Sequence, residues 1–328
     1  MEYRTLGNTD LTLSVITFGA WAAGGWMWGG NDKDDAIKAI RSAYDQGVNA
    51  IDTAPVYGQG ASEVIVAEAI RGIPRENIHI LTKFGMRWDL AKGDFAFKSE
   101  NNKGEAIEIY RYAGRESIKK EVEDSLMRLG TDYIDLYQIH WPDTTTPIQE
   151  TFETVAELIK EGKVRYAGVS NYSASQMQEA EKSVELASNQ VPYSMVNRGI
   201  EQETIPYCIK NNKSILAYSP LERGLLTGKM HAGQQFEEGD HRARHPRFTD
   251  DSISKTNAFL KSIHPIAQEK GATLAQLVLR WTIEQPGITI ALAGARNAQQ
   301  AVQNAKAASL KLTKQELENI NAKLAELG

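Results

Sequence analysis

Val48-Asn49-Ala50-Ile51-Asp52-Thr53-Ala54-Pro55-Val56-Tyr57 begins as a short apolar run and turns at Asp52 into a polar loop. Upstream, residues 32–46 carry Ile37, Ile40 and Tyr44 three or four apart, the spacing of one helix face, and Gly47 follows where a helix-ending glycine takes a left-handed conformation. A helix stopped by glycine and followed by a short apolar strand is one half of a strand–helix repeat. The same pattern recurs at Ile78 to Leu81, which runs into Lys83, and at Ile134 to Ile139, which runs into His140. Candidate strands fall at residues 15–18, 48–52, 78–82, 134–139, 165–169, 191–196, 214–218 and 288–293. Residues 116–129 form a second clear amphipathic helix, through Ile118, Val122, Leu126 and Leu129. Gly130 and Gly162 stand at helix ends, and Ser173 stands where an N-cap belongs.

Strands alternating with helical crossovers predict an α/β fold, a single (β/α)8 TIM barrel over residues 1–328. Ahead of it, Tyr3 to Leu6 and Leu11 to Ser14 flank Gly7-Asn8-Thr9-Asp10, which reads as a β-hairpin placed to plug the barrel bottom. Two stretches exceed ordinary connection lengths, Arg87 to Tyr112 and Gly228 to Asp251, and are expected as long loops on the C-terminal face. The second holds His241-Arg242-Ala243-Arg244-His245, read either as a solvated loop or as a flap over a phosphate-bearing ligand. The His241/His245 pair is expected to be exposed.

With 328 residues, 41% hydrophobic and 24% charged, the chain is ordinary for a globular protein with a large core. A net charge of −5 without any Lys/Arg block argues against nucleic acid or an anionic membrane as partner. No secretory leader pattern or long uncharged run stands out, so the expected location is the cytoplasm. Cys208 is the one cysteine, which excludes an intrachain disulfide and a thiolate metal site, and its spacing from Ile205 reads as a buried helix position. No metal is expected, since the six histidines lack ligand spacing apart from the His241/His245 pair.

If the apolar runs are parallel strands of one barrel, Asp52, Tyr57, Lys83 and His140 converge at its C-terminal mouth. Reduction of an aldehyde or ketone needs a hydride at carbon and a proton at oxygen. Side chains cannot supply the hydride, so a nicotinamide cofactor is implied. Tyr57 is the expected proton donor, with Lys83 lowering its pKa, Asp52 holding Lys83, and His140 binding the substrate carbonyl. Trp21 and Trp141 follow strands and are expected to border the substrate pocket, whereas Trp26, Trp28, Trp88 and Trp281 are assigned to packing. Gly24 to Gly30 lacks the pattern of a phosphate-binding loop.

Ile51-Asp52-Thr53-Ala54-Pro55-Val56-Tyr57-Gly58, Leu81-Thr82-Lys83 and Tyr137-Gln138-Ile139-His140-Trp141-Pro142 resemble the catalytic segments of the aldo-keto reductases, in particular their bacterial, channel-β-subunit-like branch. Gly168-Val169-Ser170-Asn171-Tyr172, Ala217-Tyr218-Ser219-Pro220-Leu221 and Gly294-Ala295-Arg296 are similar to the family's cofactor segments. The resemblance implies a catalytic tetrad of Asp52, Tyr57, Lys83 and His140. It implies Ser170, Asn171 and Gln190 at the nicotinamide carboxamide, Tyr218 stacked on the nicotinamide ring, and Ser219, Pro220, Leu221, Gly224 and Lys229 around the pyrophosphate. It further implies Gly294, Arg296, Gln300 and Asn304 at the adenosine 2′-phosphate and adenine, where Arg296 favours NADPH and leaves NADH possible. Many relatives carry Lys at the Gly294 position and Arg at the Gln300 position.

The expected activity is NADPH-dependent reduction of small aldehydes or ketones to alcohols. A nicotinamide-binding sensor or partner subunit with slow turnover is the alternative from another class. A glycosidase needs two carboxyls across the bond it cleaves, and only Asp52, with Asp143 further along, offers an acid near a strand exit.

Overall fold

The computed structural model describes residues 1–327. It starts with a hairpin of β1 (Tyr3–Thr5) and β2 (Thr12–Ser14), followed by β3 (Ile16–Gly19), α1 (Lys33–Asp45), β4 (Ala50–Asp52), α2 (Ala61–Ile70) and β5 (His79–Phe84). Three short strands, β6 (Met86–Arg87), β7 (Asp94–Glu100) and β8 (Ala106–Arg111), precede α3 (Arg115–Leu129), β9 (Ile134–Ile139), α4 (Ile148–Lys160) and β10 (Val164–Ser170). The chain continues through α5 (Ala174–Ala180), β11 (Leu186–Pro192), α6 (Thr204–Lys210), β12 (Ser214–Tyr218), α7 (Asp250–Glu269) and α8 (Leu274–Glu284). It ends with β13 (Ile288–Ala293), α9 (Ala298–Lys306) and α10 (Lys314–Ala325).

Eight parallel strands close in the order β3-β4-β5-β9-β10-β11-β12-β13 and back to β3, the (β/α)8 barrel expected from the alternation. A strand walled by side chains inside and by helices outside is buried on both faces, and every residue of β9 is. Leu6 and Leu11, from the turn between β1 and β2, and Leu13 of β2 are fully buried with Ala50, Leu81, Leu136, Leu216 and Ile290, so the hairpin fills the barrel interior. The amide of Gly7 donates to Ser214 Oγ at 2.8 Å, at the first residue of β12, which fixes the hairpin at the N-terminal end of the strands. Gly47, Gly130 and Gly162 all have positive φ, and Ser173 caps α5 with a capping box.

Three expectations change. The sixth barrel strand is Leu186–Pro192 rather than residues 191–196, because Ser188, Asn189 and Gln190 are buried in the sheet and Pro192 ends it. Residues 87–112 are largely ordered as an antiparallel sheet, β6-β8-β7, not an irregular loop. The long connection after β12 is a strap pinned at several points, and His241 and His245 are both partly buried in it. Arg247 Nη1 donates to Glu222 Oε2 at 3.0 Å and to the Val196 carbonyl at 2.7 Å, and Phe236 and Phe248 pack with Leu225, Met230 and Ile253. No described helix is long and apolar enough to cross a membrane.

Candidate active site

Strand register brings the reacting groups together. Asp52 is the last residue of β4 and pairs with Leu81, two residues before Lys83 on β5, while Lys83 pairs with Gln138 of β9, two residues before His140. Side chains two apart on a strand share a face, so Asp52, Lys83 and Gln138 meet at the C-terminal mouth. Lys83 is fully buried, and its Nζ donates to Asp52 Oδ1 at 2.6 Å, to the Thr53 carbonyl at 2.9 Å and to the Tyr57 hydroxyl at 3.3 Å. Tyr57 Oη also lies 3.5 Å from His140 Nε2. The other oxygen of Asp52 accepts from Gln190 Nε2 at 2.7 Å and Gln138 Nε2 at 3.2 Å.

Burial sets the charge states. Desolvation, reinforced by the Asp52 carboxylate, raises the Tyr57 pKa well above its usual value, so the hydroxyl keeps its proton at neutral pH. A net lowering of this pKa, expected from Lys83, is therefore not met in the resting site, where burial and then Asp52 raise it. Burial likewise pulls Lys83 below its ordinary value, opposed by Asp52. His140 is held well below its ordinary value by burial and then by Lys83, so its imidazole is neutral. Asp143 does not supply a second free carboxyl: it accepts from the Ala113 amide at 2.8 Å and from Thr145.

The residues expected to hold the cofactor line the same rim. Ser170 ends β10, and Asn171, with φ of 60°, donates to the His140 carbonyl at 3.1 Å and accepts from the Tyr218 hydroxyl at 3.0 Å. Gln190 sits deeper than expected, with its amide nitrogen on Asp52 and Gln138. Beyond Tyr218 the chain turns sharply, with left-handed φ at Ser219, Glu222, Arg223 and Gly224. Pro220 is buried, Leu221 packs into the core, and Lys229 is exposed. At the exit of β13, Arg296 is exposed and donates to the Gly30 carbonyl at 2.9 Å; Gln300 accepts from the Arg296 amide and Asn304 donates to the Gly294 carbonyl.

Arg223 was not singled out by sequence. Its Nε and Nη1 are buried without a hydrogen-bond partner among the described residues, in the turn assigned to pyrophosphate. Unpaired guanidinium nitrogens in a tight turn fit a dinucleotide phosphate. The signal was its place between Leu221 and Gly224, yet an arginine in a charged loop looks like a surface residue.

Trp21 stacks with Tyr57 at 6.1 Å between ring centres and with His241 of the strap at 5.0 Å. Trp141, partly buried, lies under the Arg111 guanidinium. Trp26 and Trp281 pack as expected, with Nε1 bonded to the Glu100 carbonyl and to Asn321 Oδ1. Trp28 packs edge-on against Trp21 and His241.

A sequence model described as the Aldo/keto reductase family matches residues 15–325. The chain is 41% identical over 298 residues to aldo-keto reductase YhdN of Bacillus subtilis (strain 168), spanning 90% of this chain and 85% of that protein. It is 38% identical over 318 residues to NADH-specific methylglyoxal reductase of Escherichia coli (strain K12), spanning 95% of each. A solved glycerol dehydrogenase of Gluconobacter oxydans superposes with a TM-score of 0.88 at 38% identity, over 99% of this chain and 95% of that one.

Proposed function

The chain belongs to the Aldo/keto reductase family, and from that premise we propose that it reduces small aldehydes and ketones with NADPH, Tyr57 donating the proton. Carbonyl reduction with a nicotinamide cofactor is what family membership carries. The proton donor, the NADPH preference and the site assignments are our reading. We also read residues 1–328 as one domain, working in the cytoplasm on small molecules.

The observation that carries the reading is the pair of contacts at the Tyr57 hydroxyl, 3.3 Å to the Lys83 ammonium and 3.5 Å to neutral His140. A buried phenol that is protonated at rest is a ready donor. As its proton moves to the substrate oxygen, negative charge grows beside a fixed ammonium, so Lys83 acts on the transition state rather than on the resting pKa. Asp52 balances Lys83 before and after the transfer. Neutral His140 can donate a hydrogen bond to the carbonyl oxygen through a nitrogen that bears hydrogen. A nicotinamide held at this rim would supply the hydride that the side chains cannot. Ser170, Asn171 and Gln190 would meet its carboxamide, Tyr218 its ring, and Ser219, Pro220, Leu221, Gly224, Lys229 and Arg223 its pyrophosphate. Gly294, Arg296, Gln300 and Asn304 would meet the adenosine end, where an exposed guanidinium suits a 2′-phosphate. A relative named as NADH-specific makes that last assignment the one to test directly.

Titration with NADPH and with NADH, followed by tryptophan fluorescence, and then loss of 340 nm absorbance on adding aldehydes, tests the reading. We expect tighter NADPH binding, turnover in the wild type, and a fall of at least ~100-fold in kcat for Tyr57→Phe with cofactor binding retained. Turnover that survives the substitution would remove Tyr57 as the acid. Tighter NADH binding would remove Arg296 as a phosphate ligand. Binding without turnover on any carbonyl would point to a sensor.

A further inference from the structure

Glu63, on the first turn of α2, is a fully buried carboxylate outside the tetrad. Its Oε2 accepts from Arg128 Nε of α3 at 2.6 Å, and its Oε1 accepts from the Thr82 hydroxyl of β5 at 2.7 Å. Replacing a buried ion pair by apolar side chains is often neutral or stabilising, so fastening α2 to α3 is a poor account of this one. The bond to Thr82 sets it apart, because Thr82 is the residue before Lys83.

Successive residues of a strand point to opposite faces. Lys83 therefore points into the barrel mouth, toward Asp52, while Thr82 points out toward α2. Thr82 is fully buried, and its hydroxyl hydrogen is committed to Glu63. Lys83 Nζ has three hydrogens and three acceptors, Asp52 at 2.6 Å, the Thr53 carbonyl at 2.9 Å and the Tyr57 hydroxyl at 3.3 Å. The longest of the three is the one to the phenol, so it is the first to be lost when β5 shifts. The same turn of α2 holds the other partner. Ser62, fully buried, bonds with the Thr53 hydroxyl at 2.8 Å, and its amide donates to the Tyr57 carbonyl at 3.1 Å. Two adjacent residues of one helix thus hold the strand that carries the ammonium and the loop that carries the phenol.

We propose that Glu63 is a positioning residue for the reduction, which through Thr82 keeps Lys83 within hydrogen-bond reach of the Tyr57 hydroxyl while Ser62 holds Tyr57 to the same turn. Arg128 supplies the charge that lets a carboxylate lie buried beside β5. This role rests on Tyr57 being the proton donor.

Thr82→Val keeps size and branching, leaves the Glu63–Arg128 pair in place and removes the hydroxyl, which Thr82→Ser restores. Glu63→Leu removes the acceptor and frees Arg128, which is partly exposed and can turn to solvent. The rate to measure is single-turnover oxidation of bound NADPH on mixing with excess propanal, with NADPH affinity followed separately by tryptophan fluorescence. We expect Thr82→Val and Glu63→Leu each to slow it about tenfold, and the double variant to be no slower than the slower single one. NADPH affinity should stay within about twofold of wild type, and Thr82→Ser within about threefold in rate. Either single variant as fast as wild type overturns the proposal, as does additive slowing in the double variant, a Thr82→Ser as slow as Thr82→Val, or a parallel loss of NADPH affinity. If Glu63→Leu does not fold, the two Thr82 variants decide. Wild type that oxidises NADPH with no carbonyl overturns the reductase reading and this role together, whereas wild-type turnover matched by Thr82→Val overturns only the role of Glu63.

Discussion

Glu121 shows how burial alone can make one side chain respond to pH. It lies on α3, accepts from the Gly85 amide at 2.9 Å and Ser117 Oγ at 3.0 Å, and sits 3.6 Å from Arg87. Desolvation pushes its carboxyl from an ordinary 4.5 up to about 7, against the pull of Arg87. The folded chain thus holds this proton where the unfolded chain releases it. Its contribution to stability is present below pH 4.5 and is lost as pH rises through about 7, a change of up to about 3 kcal/mol. Thermal melts from pH 5 to 8 should show wild type losing stability relative to Glu121→Gln, and a difference that does not vary with pH would contradict the shift. Sequence could not show this, because an acid at a helical i+4 position from Ser117 reads as a solvated face. The tetrad was legible for the opposite reason: Asp52, Lys83 and His140 each end or follow an apolar run, and strand register then forces them together. The direction of the Tyr57 shift was misread because a neighbouring ammonium is visible in the sequence and desolvation is not.

Elements explain why the loop bearing Tyr57 stays in place. Gly58, at φ of 66°, lies so close to the loop after β3 that a Cβ would stand 2.5 Å from the Gly24 carbonyl oxygen, and a Cβ on Gly24 would stand 2.9 Å from that of Tyr57. Two backbones in contact need both glycines, which is the role of the first glycine in a stretch that is not a phosphate loop. Gly58→Ala should combine left-handed strain with this clash, costing about 1–3 kcal/mol. Because the displaced loop carries Tyr57, kcat should fall by about tenfold or more. Melting temperature and steady-state kinetics check both; unaltered kcat would mean that the loop adapts without moving the hydroxyl. Regular elements with a clear period, such as α1, α3 and β9, were legible to within a residue or two. The strand Leu186–Pro192 was misplaced because its buried face uses Ser188 and Gln190, which a search for apolar residues passes over. The sheet β6-β8-β7 was missed because its strands are largely half-exposed and carry charges such as Lys98, Glu100 and Glu108.

Across the whole molecule, stability and chemistry sit at opposite ends of the barrel. Leu6, Leu11 and Leu13 fill the end away from Tyr57, so Leu11→Ala should lower unfolding free energy by about 2–5 kcal/mol, with kcat unchanged at 25 °C. Urea denaturation with parallel assays checks this, and a loss of kcat in a fully folded variant would mean that the plug supports the mouth. The barrel was legible because strand, helix and glycine recur in one order along the chain. The closure of the strap was not, since its fastening depends on partners as distant as Met27 and Val196. In the sheet β6-β8-β7, Met86 pairs with Arg111 and Arg87 with Tyr110, so the chain leaves the barrel and returns through adjoining residues. A segment whose two ends meet can lengthen, shorten or be exchanged without shifting Lys83 on one side or α3 on the other. Insertion and deletion in its gene can therefore redraw one rim of the mouth over generations while the inherited chemistry stays put.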